Sequence, residues 1–383
     1  MSGLARTNIF IVAGEESGDQ LGFKLMRAVR ARAPDVCFSG IGGKAMMGEG
    51  LSPLFPMDDI AVMGFLPVLA RLPLLFKRIA QTAEAIIAQK PDVLVIIDSP
   101  DFTHRVARIV RKADPKIPII NYVSPTVWAW RPGRAKKMRA YVDHLLALLP
   151  FEPQAHLGLG GPLCTYVGHP LIERLGDLRP NAAETAQRAL PRLLLLPGSR
   201  RSEVARLMPI FRQTVALLVN TIGPVEVLLP AVDRLADVIT KQVRDWPVPV
   251  KVLRGETEKY AAFRSSRAAL AASGTVTLEL ALAQVPFVAA YKVNPVEAMI
   301  TRRVVRLSSV ILPNIILGEN VVPEFLQEDC TAVNLSSALV PLMRGDVARD
   351  VQLTAFDHVN ELMQVPAGES PSGLAAKIVL AAV

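Results

Sequence analysis

The chain has 383 residues, enough for two domains that each bury a full core. Its formal net charge of +8 and isoelectric point near 9.5 favour acidic partners such as phosphates or anionic lipid. Hydrophobic residues make up 51% of the chain, yet no apolar run reaches the roughly 18–20 residues of a spanning helix, and the amino terminus does not have a signal-peptide profile. Three widely spaced cysteines argue against a disulfide framework or a zinc site.

Apolar strands alternate with helical stretches through the first half of the chain. Continuous apolar strands separated by helices are typical of a parallel sheet that is buried on both faces. The predicted strands are Ile9–Ala13, Val36–Gly40, Val93–Ile97, Ile117–Val123 and His144–Leu149, and the predicted helices include Leu21–Ala31 and Leu69–Gln89. The pattern predicts a doubly wound α/β domain.

Glycine and proline become frequent between Gly158 and Pro170, and a polar stretch follows. This composition predicts the connection between two domains, residues 1–168 and 169–349. A second strand series then begins, made of Leu193–Leu196, Glu226–Leu229, Val250–Leu253, Ala268–Ala272 and Phe287–Tyr291. The tail after Asp346 is mostly helical. The chain is therefore expected to contain two Rossmann-like domains facing one cleft.

The first predicted strand ends in a loop that carries three carboxylates, from Gly14 to Asp19. The glycine spacing does not match the dinucleotide fingerprint, so a hydride-transfer cofactor is not supported. Carboxylates would repel a diphosphate but can accept hydrogen bonds from sugar hydroxyls. Glu15, Glu16, Ser17 and Asp19 are therefore candidate acceptor-binding residues. Helix capping by Ser17 and Asp19 is the structural alternative.

Asp98 stands at the carboxyl end of the strand Val93–Ile97. A carboxylate in this position, beside apolar neighbours, is suited to accept a proton from a hydroxyl. An ordinary strand-end aspartate that caps the next turn is the alternative.

Two later loops are compatible with a nucleotide. Ser199 and Arg200 follow the strand Leu193–Leu196, and arginine binds phosphate in a bidentate fashion. Ser273, Gly274 and Thr275 place small side chains at a strand-to-helix junction, where free N–H groups accommodate a phosphate. Glu279, about one turn later, is a candidate ligand of the ribose hydroxyls; a capped helix with an acidic first turn is the alternative.

A segment from Asn121 to Arg131 holds two of the three tryptophans and is followed by a run of basic residues. Aromatic and basic side chains together can bind nucleic acid. Since aromatic residues make up only 5% of the chain, a structural tryptophan pair with a basic rim is favoured, and nucleic acid is not an expected partner.

The stretch from Ile60 to Arg78 is nearly all apolar, contains two prolines and ends in cations. A core helix rarely carries two prolines, and a surface helix is rarely so apolar. The stretch therefore predicts a lipid-facing segment, with a buried helix pair as the alternative. The candidate membrane contacts are Val62, Phe65, Leu66, Leu69, Leu72, Leu75 and Phe76. The cationic run Pro295–Ser308 is a second candidate lipid contact or a solvated face.

Taken together, these motifs resemble the lipid-A-disaccharide synthases, a family of GT-B glycosyltransferases. The matching segments are Val12–Asp19, Ala61–Gly64, Asp98–Phe102, Tyr122–Pro125, Val127–Arg131, Leu196–Arg200, Ala272–Thr275 and Leu312–Asn314. They cover the whole chain in order.

The resemblance implies an inverting transfer from UDP-diacylglucosamine to the 6-hydroxyl of diacylglucosamine 1-phosphate, which gives a β-1′,6-linked disaccharide phosphate and UDP. It implies Asp98 as the base, Asn314 near the nucleotide, and no metal or other cofactor. It further implies that helices of about 350–383 return to the first domain. A homodimer with exchanged carboxyl-terminal parts is left open. The expected location is the cytoplasmic face of the inner membrane, as a peripheral protein.

Two alternative functions stay open at this point. A UDP-sugar epimerase of the same fold would share the nucleotide site but would not need the apolar stretch. A non-catalytic nucleotide-binding membrane adaptor would not need Asp98.

Overall fold

The chain folds into two compact units. The computed structural model describes residues 7–61, 65–294 and 309–383, and the side chains of 65–70 lie outside that description. One unit consists of Met1–Pro170 with Val365–Val383, and the other consists of Leu171–Gln364. The sequence predicts that the chain returns to the first unit at about residue 350, whereas in the structure it returns at Val365. The cause is the helix Val347–Leu362, whose Phe356 is fully buried and stacks on Phe287 of the second unit.

The first unit is built on a seven-stranded parallel sheet of order β3-β2-β1-β4-β5-β6-β7. Its strands are β1 Asn8–Ala13, β2 Cys37–Ile41, β3 Ser52–Pro53, β4 Val93–Ile97, β5 Ile119–Tyr122, β6 His144–Ala147 and β7 Leu163–Tyr166. The helices are α1 Glu16–Arg30, α2 Lys44–Gly48, α3 Phe65–Gln89, α4 Pro100–Ala113, α5 Gly133–Met138 and α6 Glu152–Gly158, with Pro371–Ala381 near the carboxyl terminus. A short 3₁₀ helix spans Met57–Asp59.

Alternate residues of the central strands enter two different cores. Ile9 and Ile11 of β1 pack with α1 and with the carboxyl-terminal helix, whereas Phe10 and Val12 pack with α3 and α4. All five residues of β4 are buried. This double burial explains why the strands lack polar alternation, since both faces of the parallel sheet are covered by helices.

The second unit contains a six-stranded parallel sheet of order β10-β9-β8-β11-β12-β13. The strands are β8 Arg192–Leu196, β9 Glu226–Ala231, β10 Val250–Arg254, β11 Ala268–Ala272, β12 Phe287–Tyr291 and β13 Glu324–Leu326. A 3₁₀ helix, Pro170–Arg174, precedes the helices α7 Leu175–Leu178, α8 Ala182–Gln187, α9 Arg201–Ile222, α10 Asp233–Gln242, α11 Gly255–Ser265, α12 Val276–Leu282, α13 Leu312–Leu317, α14 Ala332–Arg344 and α15 Val347–Leu362. The helix Pro371–Ala381 of the first unit is α16.

Three helix ends of the second unit are held by two arginines, of which Arg188 is buried and Arg267 half-buried. Arg188 is 8% exposed, and its guanidinium donates to four carbonyls at the carboxyl ends of α11 and α12, at 2.6–3.1 Å. Burial, and then the charge of Arg349, lower its pKa to about 10. Arg267 likewise donates to the carbonyls of Met343 and Arg344, at the end of α14. These cations satisfy carbonyls that a helix leaves without partners.

Several elements differ from the sequence-based expectation. The helix α3 begins at Phe65 rather than Leu69, and Pro73 lies in its interior. The strand predicted for Ile117–Val123 is limited to β5. The strands β3, β7 and β13 are not predicted, because they are short and lie at sheet edges with few continuous apolar residues.

Candidate functional site

The first candidate site lies where the strand order of the first unit reverses. The register pairs Ala13 of β1 with Ile97 of β4, so the loops after both strands start side by side. Ligands of open parallel sheets bind outside the carboxyl ends of strands at such a switch point. A Cβ added at Gly14 would lie 2.4 Å from Ser99 Oγ, so only glycine allows the two loops to approach this closely.

Two consecutive non-glycine residues adopt the left-handed backbone conformation at this point. Asp98 has a φ of 53° and Ser99 has a φ of 44°. A side chain makes this conformation costly, by roughly 1 kcal/mol or more per residue, and such strain concentrates at functional sites. The turn is held by the Thr103 hydroxyl, which donates to the Asp98 carbonyl at 2.7 Å. The sequence-predicted base therefore has a fixed, strained backbone.

Two carboxylates converge at the switch point. Ser99 Oγ donates to Glu15 Oε1 at 3.3 Å, and the Ser99 N–H donates to Asp98 Oδ1 at 2.8 Å. Burial, and then the negative charge of Asp98, raise the pKa of Glu15, while the bond from Ser99 opposes the shift. The pair is suited to proton exchange because neighbouring negative charges favour retention of a proton by one of them.

Among the other predicted acceptor residues, Asp19 has a structural position. It is fully buried, and its carboxylate accepts hydrogen bonds from the N–H groups of Gly43, Ala45 and Met46 at 2.7–3.1 Å. It therefore holds the start of α2, and its assignment to the acceptor is corrected. Glu16 and Ser17 are exposed in the first turn of α1, where neither caps the helix.

The two tryptophans of the Trp128–Trp130 segment have different environments. Trp128 Nε1 donates to the Glu152 carboxylate at 3.1 Å, and its ring packs edge-on against Phe151. Trp130 is 42% exposed, with the Arg131 guanidinium 4.1 Å from its ring centroid. Only Trp128 is therefore part of the interior, contrary to the expected structural pair.

Glu152 is a buried acid at the base of this segment. It is 3% exposed and accepts from the N–H groups of Leu148 and Leu149 as well as from Trp128. Burial raises its pKa to about 7, although these hydrogen bonds oppose the shift. Its charge state therefore changes near neutral pH.

The second candidate site is a cavity of about 610 Å³ at the switch point between β8 and β11. It brings together six of the predicted nucleotide-binding residues, Ser199, Arg200, Ser273, Gly274, Thr275 and Glu279. Gly198 begins the first of its loops with a φ of 101°, and a Cβ there would lie 2.5 Å from a Glu203 oxygen. Glycine is therefore required for the loop to fold back on α9.

The cavity contains cations and carboxylates in alternation. Arg200 is paired with Glu203 at 3.3 Å, and Lys259 Nζ lies 2.5 Å from Glu279. Lys259, Asp233 and Glu256 line the cavity but were missed by the sequence reasoning. Their helices start elsewhere in the chain, and no motif marks them. The arrangement offers two cations for a diphosphate and several carboxylates for sugar hydroxyls.

Asn314 does not line this cavity. It is 1% exposed and exchanges hydrogen bonds with the backbone of Val322 at 2.9 and 3.0 Å. It also donates to Glu324 at 2.8 Å, and Glu324 in turn accepts from the Val310 N–H. Because Ser273 Oγ donates to the Val310 carbonyl at 2.8 Å, Asn314 supports the loop Ser273–Thr275 through this network. Its assignment to nucleotide binding is corrected to that of a positioning residue.

Some of the predicted membrane contacts lie outside the described part of the chain. They are Val62 and the side chains of Phe65, Leu66 and Leu69. The run Pro295–Ser308 is also outside the description. Leu72 is half-buried, Leu75 packs against the core, and Phe76 is 53% exposed. Leu75 is only partly buried, so its contact with a membrane stays a prediction. A search of the described residues finds no helix long and apolar enough to span a membrane. The described residues also contain no cluster of side chains suited to a metal ion.

This chain is similar to known proteins in sequence and in fold. A family model described as lipid-A-disaccharide synthetase matches residues 9–378. A lipid-A-disaccharide synthase of Nitrobacter winogradskyi is 56% identical over 378 residues, covering 98% of this chain and 95% of the relative. The enzyme of the same name from Rhodopseudomonas palustris strain HaA2 is 54% identical over 375 residues, covering 97% and 95%.

The similar solved structures are far more distant in sequence. They include the glycotransferase of kitacinnamycin (TM-score 0.62, 14% identity, covering 99% of this chain and 100% of that chain). A co-structure of S. aureus MnaA with UDP gives a TM-score of 0.60 at 12% identity, covering 98% and 95%. The structure of Acinetobacter baumannii MurG gives a TM-score of 0.58 at 13% identity, covering 98% of this chain and 99% of that chain. The fold is GT-B, with two parallel-sheet α/β domains.

The buried position of Asp19 predicts a stability effect. Asp19→Ala leaves three backbone donors without an acceptor, so we expect the free energy of unfolding to fall by about 2–3 kcal/mol. The matched control Glu16→Ala, at an exposed position one helical turn earlier, should change it by less than about 0.5 kcal/mol. Both are measured by urea denaturation. Unchanged stability of Asp19→Ala would restore Asp19 as a ligand-binding candidate.

Glu152 predicts a pH dependence of stability. Its pKa is raised in the folded state, so the fold retains a proton that the unfolded chain loses above about pH 4.5. Stability from this group is present at low pH and is lost as pH rises through 7, by up to about 3 kcal/mol. Between pH 5 and 8, Glu152→Gln should show a smaller decline in unfolding free energy than the exposed control Glu84→Gln. Equal slopes would contradict the assignment.

Proposed function

The chain belongs to the lipid-A-disaccharide synthase family, and we propose that its two switch-point sites divide the reaction, with the donor nucleotide bound by the second unit and the acceptor hydroxyl activated by the first. It is a glycosyltransferase of lipid A biosynthesis that acts on UDP-sugar and lipid substrates. The proposed donor is UDP-2,3-diacylglucosamine and the proposed acceptor is 2,3-diacylglucosamine 1-phosphate. The observation that carries this division is the placement of cations: Arg200 and Lys259 line the second cavity beside several carboxylates, whereas the two carboxylates of Glu15 and Asp98 converge at the first site.

The proposed reaction is a single displacement at the anomeric carbon of the donor. The 6-hydroxyl oxygen of the acceptor forms the new C–O bond while the bond to the UDP oxygen breaks. The proton of that hydroxyl passes to Asp98, whose strained backbone presents the carboxylate at the strand end. One displacement inverts the anomeric configuration and gives the β-1′,6 linkage.

Cleavage of the bond to the anomeric carbon leaves one additional negative charge on the diphosphate of UDP, which the cavity must stabilise. Arg200 and Lys259 are the cations that line it, and the loop Ser273–Thr275 adds its backbone. Glu279 is proposed to accept from the ribose hydroxyls. Because side-chain cations fill the role that a metal plays in other transferases, we propose that no metal or organic cofactor takes part. The S. aureus MnaA co-structure shows that a related fold binds UDP.

The first unit is further proposed to contact the membrane. Leu72 is half-buried and Phe76 is exposed on α3, which packs on α4, and the Phe76 ring lies beside Arg105 of α4. Acylated substrates reside in a bilayer, so an apolar helix beside the acceptor site would let the enzyme reach them. A location on the cytoplasmic face of the inner membrane and a homodimer remain predictions.

Activity tests the role of Asp98. Wild-type protein given both diacylated substrates in the presence of EDTA should form the disaccharide phosphate and UDP, read by mass spectrometry. Asp98→Asn should lower kcat by about 10²–10⁴-fold, since the base is lost. The exposed control Asp35→Asn, before the amino end of β2, should be unaffected. UDP affinity by calorimetry should be equal in all three proteins. Full activity in Asp98→Asn would exclude it as the base.

Vesicle flotation tests the membrane contact. Leu72→Ser with Phe76→Ser removes exposed apolar surface, so the bound fraction on vesicles of phosphatidylethanolamine and phosphatidylglycerol should fall several-fold. The matched control is Leu157→Ser with Leu163→Ser, which are 73% and 66% exposed elsewhere on the same unit. Equal loss in both pairs, or none in either, would contradict a specific contact by α3.

A further inference from the structure

A second cavity of the first unit is lined mainly by arginines. Its volume is about 400 Å³, and its lining residues are Pro100, Asp101, His104, Arg105, Arg108, Arg131 and Arg134. Four guanidinium charges therefore face one carboxylate, that of Asp101, which is paired with Arg134 at 3.0 Å. Among the described residues, Arg105, Arg108 and Arg131 form no ion pair with a carboxylate. The cavity has an excess of positive charge.

His104 adds no charge to this cavity. It is 2% exposed, its Nε2 lies 3.1 Å from Asn121 Oδ1, and its Nδ1 lies 3.2 Å from the Tyr141 hydroxyl. Burial, helped by the charges of Arg134 and Arg108, lowers the pKa of His104 to about 4, although the hydrogen bond with Asn121 opposes the shift. The imidazole that lines the cavity is therefore neutral at pH 7, and the positive charge of the cavity comes from the arginines.

The three arginines without carboxylate partners are each placed against an aromatic ring. The guanidinium carbon lies 5.5 Å from the Phe76 centroid for Arg105, 4.8 Å from Tyr141 for Arg108 and 4.1 Å from Trp130 for Arg131. Stacking occupies the face of a guanidinium and leaves the N–H groups at its edge able to donate. Arg108 uses one of its edge donors on the Tyr141 hydroxyl, at 3.2 Å. Edge donors in a planar fork match the oxygens of a phosphate.

The backbone at Arg131 also carries strain. Its φ is 54°, a left-handed conformation that is unusual for a residue with a long side chain. The cost is of order 1 kcal/mol. This conformation places Arg131 beside the end of α4 that follows Asp98, so the cavity is an assembled feature rather than a run of basic residues on one exposed helix face.

The cavity lies between the two proposed functional features of the first unit, the base Asp98 and the apolar helix α3. The helix α4 starts at Pro100, two residues after Asp98, and Arg105 lies about 7–8 Å further along its axis. That length is comparable to the width of one sugar ring. On the other side, Arg105 touches Phe76 of the apolar helix α3. A ligand that fits has a hydroxyl at one end, an anionic group across a sugar ring, and attached acyl chains.

We propose that Arg105, Arg108, Arg131 and Arg134 bind the 1-phosphate of the acylated acceptor sugar and so direct its 6-hydroxyl toward Asp98. This subsite rests on the proposed function, because the acceptor is defined there. It accounts for a cluster of cations that the nucleotide site does not use. Phosphate groups of bilayer phospholipids share the same chemistry, and the experiment separates the two sources.

The first arm is kinetic and uses Arg105→Gln with Arg131→Gln. Loss of two charge-assisted contacts should raise the KM for the acceptor at least about tenfold, with the KM for the donor unchanged. An acceptor without the 1-phosphate should react equally with wild type and variant. The matched control is Lys136→Gln with Arg139→Gln, which removes the same charge from exposed positions close by. An unchanged acceptor KM, or an equal rise in the control, overturns the proposal.

The second arm measures binding without turnover. Wild-type protein should bind diacylglucosamine 1-phosphate in detergent micelles at least about tenfold more tightly than the Arg105→Gln, Arg131→Gln variant does. If the variant loses only its flotation with phosphatidylglycerol vesicles and keeps this affinity, the phosphate belongs to the bilayer and the proposal is wrong. Since binding needs no donor, this arm gives its answer even if the wild type forms no disaccharide, the result that would instead refute the proposed function.

Discussion

The carboxyl ends of two neighbouring strands at a sheet reversal are the constraint on which both sites depend. At β1 and β4, and again at β8 and β11, the following helices leave toward opposite faces of the sheet. The loops separate as they leave, and their backbone stays accessible in an otherwise buried parallel sheet. Gly14 and Gly198 are needed there because a side chain would collide with Ser99 or Glu203. The same geometry therefore creates an opening twice, and the side chains determine what each opening binds.

Burial then separates the polar residues that maintain the fold from those available to a ligand. The Asp19 carboxylate accepts hydrogen bonds from three backbone N–H groups, and the Asn314 amide is hydrogen-bonded to the backbone of Val322. Removing either partner would leave buried polar groups unsatisfied, which is costly. Asp98 differs because, within the described part of the chain, its carboxylate accepts only from the adjacent Ser99 N–H, and the residue is half-buried. Its carboxylate retains acceptor capacity.

The sequence predicted the central strands well because continuous apolar runs such as Val93–Ile97 have no other favourable location than a sheet covered on both faces. It did not predict β3 or β13, whose two or three residues carry too little pattern. The sequence pointed to six residues that line one cavity, because small residues, an arginine and a first-turn glutamate after a strand form a recognisable pattern; their binding of a nucleotide stays a prediction. Asp19 and Asn314 could not be separated from ligand-binding residues, since a polar residue in a loop looks the same whether its partner is a ligand or the backbone.

Contacts between distant parts of the chain set the remaining chemistry, and the basic residues show this best. A net charge of +8 suggested acidic partners but not where they bind. Arg188 and Arg267 donate their guanidinium N–H groups to helix carbonyls of the second unit. Arg105 and Arg131 are 26 positions apart, yet each lies against an aromatic ring, and neither forms an ion pair with a carboxylate of the described residues. The partners of the arginines are thus more informative than their number. A carbonyl that accepts from a guanidinium occupies its N–H donors. An aromatic ring contacts only the guanidinium face, so the N–H donors stay available to an anion.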